Sequence, residues 1–386
     1  MHIIRTLNSI EKVKRESWDA LIDDNPFASH GWLKTVEETY IEDMRPRYIL
    51  FEDAEKLAGA TVCYYQKKSD IVETLDDLLF GRIRVPLSRL GFSFLPALIC
   101  CPIFCYGQHF LILKGLRPVQ KEFIMIELLR AVEQEGARER LPIAFPNVME
   151  SEDMLARLLK ERGYRRTRHM SLSYIDIEWK SFPEYVNHVR HLRKGTNKAI
   201  NNEINRNRKE GVIIRPIEDL KENEVRLYAL LNDNYMRYNQ RPFMFRLPFI
   251  TKTKEHLGKD AVFYISLKKG VITGVSILMK RQKTGYGLLL GIDHEIAGND
   301  FTYFNIAYYR PIMDAISEGM TRLYFGPAMY QSKISRGCKT DNVSLYYKPY
   351  QRITDIHVRI WFKIFSLWIR CKVPKAVRGR SELEIA

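Results

Sequence analysis

Residues 48–62 read YILFEDAEKLAGATV, and residues 263–277 read FYISLKKGVITGVSI. Each is an apolar strand, a charged turn and a second strand with one internal glycine, Gly59 or Gly274. In both copies that glycine lies eleven residues after the first aromatic, Tyr48 or Phe263. Two such runs around a polar turn signal a hairpin. The parallel continues downstream. An apolar-periodic helix runs from about Val119 to Glu135 and stops at Gly136; its counterpart runs from about Phe301 to Glu318, kinked at Pro311, and stops at Gly319. Strands follow near Pro142 to Phe145 and Arg322 to Phe325. Next come short helices ending in Arg162-Gly163 and Arg336-Gly337, then strands around Ser171 to Tyr174 and Ser344 to Tyr347. One order of elements repeated twice predicts an α/β (α+β) chain with two copies of one unit, 1–178 and 212–352.

The segments outside the copies carry the charge. The chain has 386 residues and a formal charge of +15. Residues 179–211 form a basic helical linker, in which 189–210 hold seven Lys/Arg against two acids. Ala199, Ile200 and Ile204 give it only a thin apolar stripe, which predicts a mostly solvated helix. Residues 353–386 form a basic, aromatic C-terminal helix and tail, with seven cations and no acid between Arg359 and Arg380. Concentrated positive charge favours acidic partners: nucleic acid, an anionic membrane face or phosphorylated substrates.

Six cysteines include no CxxC pair, which leaves a structural zinc site unsupported. The first residues lack the apolar core of a signal peptide, so a reducing cytoplasm is the expected compartment. Leu90 to Leu113 carries no Lys, Arg, Asp or Glu, but Pro96, Pro102 and Gly107 predict buried strands and turns rather than a membrane helix. P-loop, HExxH and GxSxG motifs are absent, which gives NTPase, zinc-protease and serine-hydrolase chemistry no support.

Several stretches carry a family resemblance. Asn25-Pro-Phe-Ala-Ser-His-Gly-Trp-Leu33, followed by Glu37, resembles the opening of bacterial FemAB-like acyltransferases, in particular the peptidoglycan-biosynthesis/recognition subgroup. Tyr303-Phe-Asn-Ile-Ala-Tyr-Tyr309 falls on that group's H-F-E-x-C-Y-Y motif, and Pro327 to Cys338 on its G-A-Q-G-E-H-K-x-x-R-G-F motif. The basic linker is similar to the segment preceding the second half of CelD/BioF-like acetyltransferase domains. The resemblance implies tandem GNAT-like (acyl-CoA N-acyltransferase) folds. Among its departures, Tyr303 replaces the His, Asn305 the Glu, and Gln331-Ser332 the Glu-His pair. Lys333, Arg336 and Gly337 are retained, so a substrate different from that of motif-complete members is expected.

Such folds place acyl transfer where two central strands splay, here the end of the strand Tyr286 to Ile292 and the helix start after it. Asp293 and His294 are candidate general bases there, His having a suitable pKa; the alternative is a polar turn with Asn299 or Asp300 capping the next helix. Tyr309 and Tyr308 are candidate proton donors to a leaving thiolate, and Tyr303 a substrate contact, or all three are core phenols. Asn305 is a candidate for orienting the acceptor. Lys333 and Arg336, three apart on one helix face, are a candidate anion clamp or a solvated pair. Arg193, Lys194 and Lys198 of the linker could track a tRNA backbone. Trp361, Phe362, Phe365 and Trp368 with Lys363 and Arg370 either pack against the body of the protein or suit peripheral contact with the inner membrane face. The resulting expectation is an N-acyltransferase with no permanently bound cofactor. It would pass an acyl group from acyl-CoA or a carrier thioester to the amine of an anionic small molecule or cell-envelope precursor. An aminoacyl-tRNA donor, or a non-catalytic membrane-surface binder, are the alternatives.

Overall fold

The computed structural model describes residues 2–192, 196–351 and 355–372. Its strands are β1 (His2–Leu7), β2 (Pro46–Asp53), β3 (Lys56–Gln66), β4 (Ala97–Ile99), β5 (Phe110–Ile112), β6 (Ile143–Met149), β7 (Arg165–Asp176), β8 (Ile213–Ile217), β9 (Ala261–Lys268), β10 (Val271–Arg281), β11 (Thr284–Ile292), β12 (Arg322–Gly326) and β13 (Lys339–Lys348). The chain divides into two compact units, Met1–Met170 with Asn342–Ala386, and Ser171–Asp341. Both are mixed sheets flanked by helices, as the repeat predicts.

In the first unit β1, β2 and β3 form an antiparallel meander. β4 pairs antiparallel with β3 and parallel with β6, and β6 pairs antiparallel with β13. The helix Pro118–Glu139 lies on this sheet, its Leu128, Leu129 and Val132 fully buried with Ile49, Phe51 and Phe145. Gly59 makes that approach possible, since a Cβ there would sit 2.4 Å from Ile124 Cγ2. The helix does not stop at Gly136. It runs to Glu139 and is ended by Arg140 at φ 56°. Gly136 is instead a packing residue, because a Cβ would lie 2.7 Å from Ile143 Cδ1. The run Leu90 to Leu113 forms β4, β5 and turns. Among the described residues no helix is long and apolar enough to cross a membrane.

In the second unit β8, β9, β10 and β11 are antiparallel in order. β12 joins β11 in parallel, and the far end of β7 pairs with β12. The helix Glu224–Asn239 seats on β11 at Gly291, where a Cβ would meet Leu230 O at 2.4 Å. The helix expected from Phe301 to Glu318 runs unbroken from Thr302 to Ser317, but its turns are not uniform. A short turn Thr302–Phe304 widens into a π-helical segment, Asn305–Tyr309, before the helix Arg310–Ser317. Pro311 is the second residue of that last helix, directly after the π-helical segment.

The division departs from the sequence boundaries 1–178 and 212–352 in two ways. The terminal strand of each copy leaves its own unit: β7 beyond Met170 belongs to the second, and most of β13 to the first. The linker is also part of the second unit, as helices Phe182–Leu192 and Thr196–Lys209. Ile200, Glu203 and Asn207 bury the inner face of the latter. Repeated order identifies copies, but hydrogen bonding decides which sheet a strand completes.

Candidate active site

β11 pairs with β12 at three positions only: Thr284 with Arg322, Gly285 with Leu323 and Tyr286 with Tyr324. The rings of the last pair stack with centroids 4.6 Å apart. Beyond them the strands part. β11 stays bonded to β10 as far as Ile292, but its register slips: Ile277 faces Leu289 while Leu278 faces Gly287. Leu288 is therefore an extra residue, a β-bulge at the point of divergence. Bulges re-aim backbone groups and concentrate beside active sites. Leu288, Leu289 and Leu290 are all half-buried, and no β12 residue pairs with them.

The π-helical segment packs beside this wedge. Tyr308 lies 4.9 Å from Phe325, on the final stretch of β12, and its hydroxyl is 3.4 Å from that of Tyr303. Burial first, then the Tyr303 hydroxyl, pushes the Tyr308 pKa upward, so the phenol keeps its proton. Tyr309 points the other way, into a buried network. Arg336 Nη2 donates to both carboxylate oxygens of Glu203 at 2.8 Å, and its Nε donates to the Tyr309 hydroxyl at 2.9 Å. Tyr309 in turn donates to Glu203. The guanidinium also lies over the Phe304 ring, 3.7 Å from its centroid. Burial opposes the Arg336 charge, but Tyr309 and Glu203 outweigh it and raise its pKa.

Asn305 Nδ2 donates to the carbonyls of Glu203, at 3.2 Å, and Phe301, at 2.9 Å. It ties the π segment to the basic helix. Lys333 is 4 % exposed, and its ammonium is enclosed by the carbonyls of Phe325 (2.6 Å), Gly326 (2.9 Å) and Pro327 (3.0 Å). Burial lowers its pKa to about 8. Lys333 thus holds the turn that ends β12, and Arg336 holds Glu203; both cations face acceptors of the chain itself rather than a solvated surface.

Asp293 caps the helix His294–Ala297 by accepting from Ile296 N at 3.1 Å, and it is paired with Arg226 at 2.8 Å. The Arg226 hydrogen bond holds its carboxyl below the usual range. A carboxylate so engaged is a poor base. His294 differs. Burial, then Arg237, lowers its pKa, leaving the imidazole neutral, and its buried Nε2 has no partner among the described residues. Asp300 caps the next turn through Thr302 N at 2.9 Å, one of the two caps expected there. Lys198 is exposed on the basic helix, whereas Arg193 and Lys194 lie outside the described residues.

Glu203 is the residue the sequence reading missed. It is one of only two acids among the nine charged residues of 189–210. An isolated acid on an otherwise cationic helix is a signal that a buried cation awaits it.

The corresponding wedge of the first unit is closed. β4 pairs with β6 only at Leu98 and Ile99, and the chain then loops through residues 100–109 before β5 rejoins β3. The opening motif secures this loop: Asn25 Nδ2 donates to Tyr106 O at 2.9 Å, and Trp32 Nε1 to Ile103 O at 3.0 Å. Inside it His109 is 1 % exposed, with Nδ1 2.9 Å from Glu152 and Nε2 2.6 Å from Pro146 O. Burial works against its charge, but Glu152 and Cys101 raise the His109 pKa. Burial would raise the Cys101 thiol, yet Cys105 and the His109 cation bring it down to about 6.

A parallel strand pair that parts at a bulge in the second unit has a counterpart in the first, where the wedge is plugged. The model of the family described as peptidoglycan biosynthesis/recognition matches residues 9–363. The chain belongs to the FemAB-like family. Solved structures agree on the fold. The C-terminal domain of a putative lysylphosphatidylglycerol synthetase from Agrobacterium fabrum aligns with TM-score 0.54 and 12 % identity, covering 94 % of this chain and 98 % of that one. FemX aligns at 0.56 and 11 %, covering 91 % and 99 %. A tandem GNAT protein from the clavulanic acid biosynthesis pathway aligns at 0.50 and 9 %, covering 91 % and 99 %. No curated protein sequence matches this FemAB-like chain. Family and fold together point to a transferase of GNAT type.

Proposed function

We propose that this FemAB-like protein is an N-acyltransferase acting in cell-envelope synthesis. It passes an acyl group from a thioester of CoA or a carrier to the amine of an anionic precursor. The observation that carries this reading is the bulge at Leu288, lying where β11 loses β12. Backbone N–H groups re-aimed there can hold the donor carbonyl and the oxyanion that forms on it. One such donor contributes about 10²–10³ in rate. His294 accepts the proton of the attacking amine. Tyr308, kept protonated by burial, supplies a proton to the departing thiolate, with Tyr303 beside it. Arg336, Glu203, Tyr309 and Asn305 are positioning residues that fix the π segment, and Lys333 fixes the end of β12.

The exposed cations of the basic helix favour a second reading, in which aminoacyl-tRNA is the donor. One experiment separates the two. The purified protein is given acyl-CoA or acyl-carrier thioesters and amine acceptors, with and without RNase, and products are read by mass spectrometry. RNase-resistant acylation, lost when Leu288 is deleted, supports the thioester reading. Transfer that requires charged tRNA replaces it with the second. Thioesters and charged tRNA both left unconsumed would reject transferase activity.

A further inference from the structure

The terminal helix Asp355–Lys372 has two apolar faces. Val358, Phe362 and Phe365 are buried against the first unit. On the opposite face Ile356, Ile360, Ile364 and Leu367 are 63 %, 54 %, 51 % and 61 % exposed. Their spacing of four, four and three places them in one stripe along the helix. Arg359 and Lys363, both exposed, border it. A second group of exposed apolar side chains in the same unit, Ile83, Val85, Leu90 and Phe92, lies on the helix Arg84–Arg89 and just before and after it. Arg89 is exposed among them.

A cavity of about 760 Å³ joins the two groups. Its walls include Phe92, Leu95, Pro142, Tyr350, Ile360 and Trp361. The volume falls within the roughly 300–1,000 Å³ usual for a bound small molecule. Trp361 Nε1, on the cavity wall, is buried and has no hydrogen-bond partner among the described residues. Soluble chains rarely expose a continuous apolar patch that opens into an apolar cavity without a partner for it.

We propose that this surface docks on an anionic lipid bilayer and that the cavity admits one acyl chain of an anionic lipid. Charge complementarity selects the occupant. Residues 356–380 contain no acid, and neither do residues 78–112, while both segments contribute cations. Apolar insertion and basic attraction are the two signals that reversible membrane anchoring needs together. A lipid ester carbonyl is an acceptor for the indole N–H that the fold leaves unsatisfied. The inference stands apart from the transfer chemistry, since every residue it uses belongs to the first unit.

The test is co-sedimentation of the full chain with vesicles of phosphatidylcholine, with or without phosphatidylglycerol. Phosphatidylglycerol should strengthen binding about tenfold, and added salt should weaken it. The double variant Ile360→Asp/Ile364→Asp alters only exposed positions, so its thermal melt should match wild type while vesicle binding falls by at least about tenfold. Lipids with brominated acyl chains should quench tryptophan fluorescence, and Trp361→Phe should remove most of that quenching. Equal binding to both vesicles, or an unaffected double variant, overturns the docking surface. Quenching unchanged in Trp361→Phe overturns the acyl-chain site. A chain that is dimeric in solution and becomes monomeric in the double variant would assign the face to self-association instead.

Discussion

The two wedges begin alike and end differently. In each unit a central strand pairs briefly in parallel with its neighbour and then departs, Ile99 from Ala144 in the first and Tyr286 from Tyr324 in the second. The second unit answers with a single extra residue, Leu288, and leaves its leucines half-buried. The first inserts the loop 100–109 and packs the gap with Cys101, Cys105 and His109, none more than 4 % exposed. Duplication supplied two candidate sites. Filling one turned it into a scaffold, and the polar groups inside it serve each other.

The largest expected effect lies in the second unit. Arg336→Ala leaves the Glu203 carboxylate buried without its cation, a loss that usually costs about 3–5 kcal/mol. Urea denaturation should show it, with the unit carrying the π segment opening first in hydrogen exchange. Arg336→Lys should recover only part, because a lysine cannot bridge both carboxylate oxygens and Tyr309 together. Unchanged stability in Arg336→Ala would remove the network as the support of the π segment.

The matching change in the first unit sharpens the contrast. Glu152→Gln removes the charge that faces His109 Nδ1 and should cost about 1.5–3 kcal/mol, the range for a hydrogen bond to a charged group. If the first wedge is only a plug, transfer per folded molecule should stay near wild type, while Leu288 deletion in the second abolishes it. Activity that falls in proportion to Glu152 loss, with folding intact, would make the plugged wedge a working site.

The duplicated order of elements is legible in the sequence, the contrast between the wedges is not, and the gaps have physical causes. The hairpins at Tyr48 and Phe263 announce themselves because period-two patterning and a polar turn are local properties. The family resemblance implies a splay at the end of β11, near Ile292, whereas pairing with β12 is already lost after Tyr286. Gly136 misled because a glycine that ends a helix and one that lets a strand approach look the same in a sequence. Asp293 reads as a candidate base, but Arg226, 67 residues earlier in the chain, engages it. Glu203 escaped for the same reason, its partner lying 133 residues away. Pairings of that range are set by the tertiary fold.

Lys333 provides a pH signature confined to the second unit. Its folded pKa, about 8, lies below the ordinary lysine value. Below pH 8 the ammonium is buried in the folded state and solvated in the unfolded one, so the full cost is present. Between about pH 8 and 10.5 the unfolded chain holds more protons than the folded one, and stability should rise with pH. Lys333→Met should flatten that rise in denaturation curves measured across the window. A wild-type slope no steeper than that of the variant would mean that the three carbonyls hold the proton as firmly as water does.

The smallest effect decides the donor. Lys198 is exposed on the basic helix, and Lys198→Ala should change stability by less than about 0.5 kcal/mol. Its consequence for transfer depends on which substrate meets the second wedge. With a thioester donor the variant should keep wild-type kcat/KM at every salt concentration. With tRNA as donor, each cation that touches phosphate adds close to one to the slope of log affinity against log salt. Lys198→Ala would then lower affinity at low salt and make the slope shallower. A salt series on two proteins of equal stability therefore separates a helix that is merely solvated from one that reads a nucleic-acid backbone, without requiring the acceptor to be known.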